Sequence, residues 1–255
     1  MTIVDRAALS KVPEVTLGFW IIKIVATTLG EIGGDSLSMS LNLGYAVSSL
    51  IFVALFVALV ATQLSATGFQ AFLYWAVIVA TTMAGTTMAD FADRSLGIGY
   101  AGGSAILFAL LIGSLAWWHR VEGSISVDTV ATPRRETFYW MAILFSQTLG
   151  TALGDWMADT NGLGYANGAL VFGAGLAVIA ALYFFTGVSR TALFWSAFSL
   201  TRPLGATIGD LLDKPVADGG FAISRFYASG LLAVVIVVLI LVLPQRAGRH
   251  PGAAT

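Results

Sequence analysis

Cysteine is absent from the 255 residues, which removes disulfides, thiolate metal sites and thiol nucleophiles and leaves the redox compartment undetermined. Charge is scarce as well: Asp, Glu, Lys and Arg make up 11% of the chain, against about 25% in soluble domains. With 57% hydrophobic residues and a mean hydropathy of +0.85, one water-soluble core could not bury so much apolar surface. Histidine occurs only as His119 and His250, both outside the apolar runs, so a Zn²⁺ or Cu⁺ site lacks its usual ligands. A Gly-x-Ser-x-Gly elbow and a P-loop are missing too, and an enzyme is not expected. The last apolar run holds no lysine, which speaks against a retinal protein. The net charge of −1 points neither to nucleic acid nor to an acidic partner.

What is present is a series of long apolar runs, each near the roughly 20 residues that cross about 30 Å of hydrocarbon. Eight can be marked: Thr16 to Ser38, Tyr45 to Leu64, Ala71 to Ala92, Tyr100 to Trp118, Phe138 to Ala158, Tyr165 to Phe185, Ala192 to Leu212 and Phe221 to Leu243. The expected fold class is all-α, a polytopic transmembrane bundle of eight spans in contact with the lipid bilayer. Asp5, Arg6, Lys11 and Glu14 precede the first run with no small-residue cleavage site, so no cleaved signal peptide is expected. Arg6, Lys11, Arg120, Arg134, Arg135, Arg190, Arg246 and Arg249 fall on one side of the spans, against Arg94, Lys214 and Arg225 on the other. The positive-inside rule then puts both termini in the cytoplasm, with the chain in the cell (inner) membrane. The polar stretch 119–136 reads as a cytoplasmic linker between a first half, 1–118, and a second half, 137–255.

Internal repetition is the most informative feature. Trp20, Trp75, Trp140 and Trp195, at offsets of 55, 65 and 55 residues, are each followed ten residues later by Gly30, Gly85, Gly150 and Gly205. Asp35, Asp90, Asp155 and Asp210 come five residues after those glycines, and the pairs Gly44-Tyr45, Gly99-Tyr100, Gly164-Tyr165 and Gly220-Phe221 follow. The segments KIVATTLGEIGGD from Lys23, TTMAGTTMADFAD from Thr81, QTLGTALGDWMAD from Gln147 and TRPLGATIGDLLD from Thr201 carry the motif. In these segments the chain resembles a bacterial family of uncharacterised multi-pass membrane proteins built from a repeat of unknown function. That resemblance implies the four-repeat architecture and no substrate.

Each copy holds a small-xxx-small pair: Gly30 with Gly34, Gly85 with Ala89, Gly150 with Gly154, and Gly205 with Gly209. Lipid offers no hydrophobic drive between helices, so such pairs are expected to bring backbones together. The odd segments also carry Thr27, Thr82, Gln147 and Arg202 at one repeat position, whereas the even ones are almost wholly apolar. Odd helices therefore read as the inner set and even helices as the lipid-facing set.

A charged residue near a helix centre costs about 2.5 to 3.5 kcal/mol on insertion scales, so acids there need a partner, a proton or water. Glu31, Asp35, Asp90, Asp155 and Asp210 are the candidate metal ligands. Two readings stand. The four aspartates form a ring at one level of a shared polar interior, or each caps a helix end or a short connecting turn near the outer surface, the four Trp being interface anchors. Lys23 and Arg202 are candidate counter-ions, or substitutes for a bound ion or carriers of a coupled proton, and Gln147 shares their level. Asp93, Asp159 and Asp213 follow the motif acids closely, either as an outer cation-gathering vestibule or, beside Arg94 and Lys214, as solvated end charges. Met83, Met88 and Met157 read as packing residues or as thioether ligands.

No resident cofactor is expected. The preferred function is a transporter or channel for a small cation, a divalent one such as Mn²⁺ or Mg²⁺, because carboxylates, hydroxyls and carbonyls suit hard ions. The alternative is a non-transporting scaffold or sensor whose acids only stabilise the bundle. A homo-oligomer is left open.

Overall fold

The computed structural model describes residues 9–249; Asp5, Arg6 and His250 lie outside this range. Eight long helices fill it: α1 (Leu17–Asp35), α2 (Gly44–Ser65), α3 (Ala71–Asp90), α4 (Tyr100–Glu122), α5 (Pro133–Asp155), α6 (Gly164–Phe185), α7 (Arg190–Asp213) and α8 (Arg225–Val242). Six of them, α1 to α4, α6 and α8, are individually long and apolar enough to cross a membrane. α5 and α7 fall short because Tyr139, Trp140, Ser146, Gln147 and Thr148 dilute the apolar content of α5, and Arg202 and Pro203 that of α7. They match α1 and α3 in length and place, and their inner polar side chains are covered by neighbouring helices. This is a multi-pass helical membrane protein.

The odd helices form a closed inner ring, α1 against α3, α3 against α5, α5 against α7 and α7 against α1. The even helices sit outside it, exposing side chains such as Leu50, Phe108, Leu170 and Leu231. Each even helix packs on the odd helix of the following copy: α2 on α3, α4 on α5, α6 on α7, and α8 back on α1. Neighbouring copies are thus interleaved, and the last closes on the first.

The recurring glycines explain the tight seams. A Cβ on Gly30, Gly85, Gly150 or Gly205 would strike Thr82, Gln147, Arg202 or Thr27, the residue of the next copy at one shared position. One turn further on, a Cβ on Gly34 would lie 2.9 Å from Thr86, one on Gly209 2.8 Å from Glu31, and one on Gly154 3.1 Å from Ala206. The same knob enters the same gap around the ring, which is how small residues hold helices together where solvent supplies no drive.

In the first three copies the odd helix does not stop at its aspartate. It widens into a π-helical turn, Ser36–Ser40, Phe91–Ser95 and Trp156–Thr160, closed by bonds from Leu41 N to Ser36 O, Leu96 N to Phe91 O and Asn161 N to Trp156 O. Gly44, Gly99 and Gly164 then turn the chain into the even helix with φ of 75°, 74° and 71°, a conformation that glycine adopts without steric cost. The fourth copy departs from this. Its glycine comes ten residues after the aspartate where the others take nine, and Pro215 ends α7, holding Lys214 in an extended conformation with φ −69° and ψ 154°, as the residue before proline prefers.

At the opposite end two short strands meet. Strand β1 (Leu9–Pro13) pairs antiparallel with β2 (Ala247–Arg249). The connection between α4 and α5 folds over them, with Ser10 Oγ donating to Val127 O at 2.8 Å and Lys11 N to Val130 O at 2.8 Å. α4 runs on through His119 and Arg120 to Glu122 and α5 starts at Pro133, so the non-helical connection is shorter than 119–136.

Candidate functional site

The ring encloses a stack of residue layers. At the terminal end lies an aromatic collar. Each repeated Trp follows another aromatic, and the pairs interlock around the ring: Phe19 on Trp75 (5.4 Å between centroids), Tyr74 on Trp140 (5.6 Å), Tyr139 on Trp195 (6.2 Å) and Phe194 on Trp20 (5.7 Å). The hydroxyls of Tyr74 and Tyr139 meet at 2.6 Å. Trp75, Trp140 and Trp195 are buried against neighbouring aromatics, and Trp20 is half-buried, so three of the four pack within the ring and do not stand free toward lipid. The Phe/Tyr-Trp dyad is legible in the sequence, where an aromatic precedes each repeated Trp.

Lys23 lies below the collar. It is fully buried, with its ammonium 4.1 Å over the Phe198 ring and 3.3 and 3.4 Å from Gln147 Oε1 and Thr201 Oγ1. It does not pair with an acid among the described residues, so the counter-ion role expected for it is absent here. Arg202 does fill that role. Its Nη2 reaches Glu31 Oε2 at 2.8 Å, Thr86 Oγ1 at 2.6 Å and Thr151 Oγ1, joining three other helices of the ring to α7.

The motif acids occupy the next level, all buried. Asp35, Asp90 and Asp155 have helical backbones and cap nothing with their side chains, because each helix continues past them; the helix-capping alternative does not hold. The ring of acids is bridged by bases. Arg94 stands between Asp90 (2.9 Å) and Asp155 (3.2 Å), and Lys214 between Asp35 (2.8 Å) and Asp210 (3.1 Å). Each base comes four residues after its own copy's acid and also reaches the acid of the next copy. Arg94 and Lys214 are thus partners of the motif acids and not merely solvated end charges. The four-residue spacing, which sets acid and base on one helix face, was the available signal.

Of the five candidate ligands, one carboxylate oxygen each from Glu31, Asp35 and Asp210 lie within 4.8 Å of one another. Asp90 and Asp155 stand outside this group because Arg94 draws them together. The second acids diverge. Asp213 pairs with Arg225, Asp159 is exposed, and Asp93 is buried against Gly103 with neither oxygen hydrogen-bonded among the described residues, so they do not form one vestibule. Met83 packs over Gly33.

A family model described as Repeat of Unknown Function (DUF347) matches the chain four times, over residues 18–69, 73–124, 138–189 and 193–246. These are the four helix pairs α1 with α2, α3 with α4, α5 with α6 and α7 with α8. No curated protein and no solved structure matches.

Proposed function

The chain belongs to this family of repeats, and on that premise we propose that it carries a small cation across the membrane, with Glu31, Asp35 and Asp210 as ligands. The observation behind this reading is their convergence to within 4.8 Å at a buried level of the bundle. Arg202 and Lys214 bring two positive charges to these three carboxylates, and a buried charge left unmatched is costly in a membrane. Hard oxygen donors suit Mg²⁺ or Mn²⁺, and cysteine is missing while His119 and His250 lie far from the acids in sequence.

The end with both strands and the α4–α5 connection carries Lys11, Arg120, Arg134, Arg135, Arg190 and Arg246; on the positive-inside rule it is the cytoplasmic end in a cell membrane. A reporter fused to the C-terminus should read cytoplasmic, and an extracytoplasmic signal overturns this orientation.

The direct test measures Mn²⁺ flux in proteoliposomes alongside membrane abundance. Asp35→Asn and Asp210→Asn each leave Lys214 one carboxylate partner, so the fold should survive while flux is lost. Normal abundance with unchanged flux across a broad panel of metals sinks the cation reading. One observation favours a second reading, a non-transporting bundle held by its ion pairs: Arg94 spans Asp90 and Asp155 from different copies, as a fastening would. On that reading the Asn variants are poorly expressed and those that fold show no metal phenotype.

A further inference from the structure

We propose, resting on the cation reading above, that Lys214 is a tethered competitor that occupies the cation site when no ion is bound and selects for divalent ions. Its ammonium lies 2.8 Å from Asp35 and 3.1 Å from Asp210, touching two of the three ligands. The site remains unsaturated with Lys214 in place, since Asp35 Oδ1 is buried with no hydrogen-bond donor among the described residues.

Charge explains the selectivity. Glu31, Asp35 and Asp210 carry three negative charges, and Arg202 on Glu31 supplies one positive charge. Lys214 brings the group to one net negative charge, and a monovalent ion replacing it changes nothing. A divalent ion replacing it makes the group neutral, which a low-dielectric interior strongly favours. Arg225, 3.8 Å from Asp35, is engaged by Asp213 and does not alter the balance.

The local fold allows the exchange. Lys214 is the first residue beyond α7, freed from the helix by Pro215, and the segment 215–219 that follows is exposed. Its carbonyl accepts from Ala222 N at 2.9 Å and packs so closely on Gly220 that a Cβ there would collide with it. Ala222 takes a left-handed φ of 54° without being glycine, a costly conformation that the surrounding contacts must hold. This is where the fourth copy abandons the π-helical turn of the other three.

The test compares Mn²⁺ binding by purified wild type, Lys214→Met and Lys214→Arg in nanodiscs, with Na⁺ as competitor. Apparent affinity falls by the fraction of time the site is unoccupied by its own side chain. Lys214→Met should bind Mn²⁺ about tenfold more tightly and become sensitive to Na⁺, for an ammonium that vacates the site about a tenth of the time. Lys214→Arg should keep weak affinity and indifference to Na⁺. A second measurement uses the wild type: Mn²⁺ should raise acylation of Lys214 by an amine reagent relative to Lys11 and Lys23. If wild type binds Mn²⁺ while Lys214→Met matches it in affinity and Na⁺ sensitivity, or labelling of Lys214 is unmoved by Mn²⁺, the competitor is refuted and the cation site stands. If none of the three proteins binds any divalent ion, both fall.

Discussion

At the scale of single residues the interior is governed by what a charge costs when it loses its partner. Glu31 and Arg202 face each other with almost no exposure at 2.8 Å, and removing one end of such a pair costs about 3 to 5 kcal/mol because the other remains buried and charged. Arg202→Met should therefore lower the thermal midpoint of the detergent-solubilised protein sharply. Glu31→Gln with Arg202→Met should recover most of the loss, and a double variant no better than Arg202→Met would refute the pairing. The Tyr74–Tyr139 hydroxyl contact follows the same logic on a smaller scale. Tyr74→Phe leaves one buried hydroxyl without its partner and should cost about 1 to 3 kcal/mol, whereas Tyr74→Phe with Tyr139→Phe should be nearer neutral. Which acid of another copy each base meets was not readable from the motif. Asp35 and Lys214 stand 179 positions apart, and Arg202 reaches Glu31 from 171 positions away; no local pattern encodes a partner at that separation.

At the scale of helices, glycine decides how near two backbones come. Gly150→Leu or Gly205→Leu forces a side chain into Arg202 or Thr27, and overpacking of this kind costs about 1 to 3 kcal/mol or more. Gly113, in the outer helix α4, has open space beside it, so Gly113→Leu should be close to neutral. Thermal denaturation of the three variants in one detergent checks the contrast, and equal losses would remove the packing role. The division into inner and outer helices was visible in the sequence, since polar residues gather in the odd segments and leave the even ones apolar. The interleaving was not. The family match runs over each odd helix and the even helix after it, yet the even helix packs on the next copy. The connection after each acid carries the chain across to the neighbouring seam, by a π-helical turn in the first three copies and by the Pro215 turn in the fourth.

For the whole molecule the main consequence is closure. α8 seals the ring against α1, where a Cβ on Gly18 would lie 3.7 Å from Leu243 Cβ, close to the separation of about 3.8 Å that a disulfide spans. The chain has no native cysteine, so Gly18→Cys with Leu243→Cys should form a single crosslink under mild oxidation, read as a shift in gel mobility that a reductant reverses. A pair that stays reduced would mean that the first and last copies do not meet.

The sequence alone determined that this protein crosses a membrane with eight helices in four copies, that the odd helices face inward, and that each copy brings an acid into the bundle. Those properties follow from the length and apolarity of local segments and from exact recurrence, both present in the order of residues. Only the tertiary structure decided that the Trp residues build a collar, that Arg94 and Lys214 divide the four acids into two bridged pairs, and that Glu31, Asp35 and Asp210 share one place. These depend on the rotational setting of helices from different copies, which backbone approach at the glycines fixes to within a side chain, and one-dimensional spacing does not carry that angle.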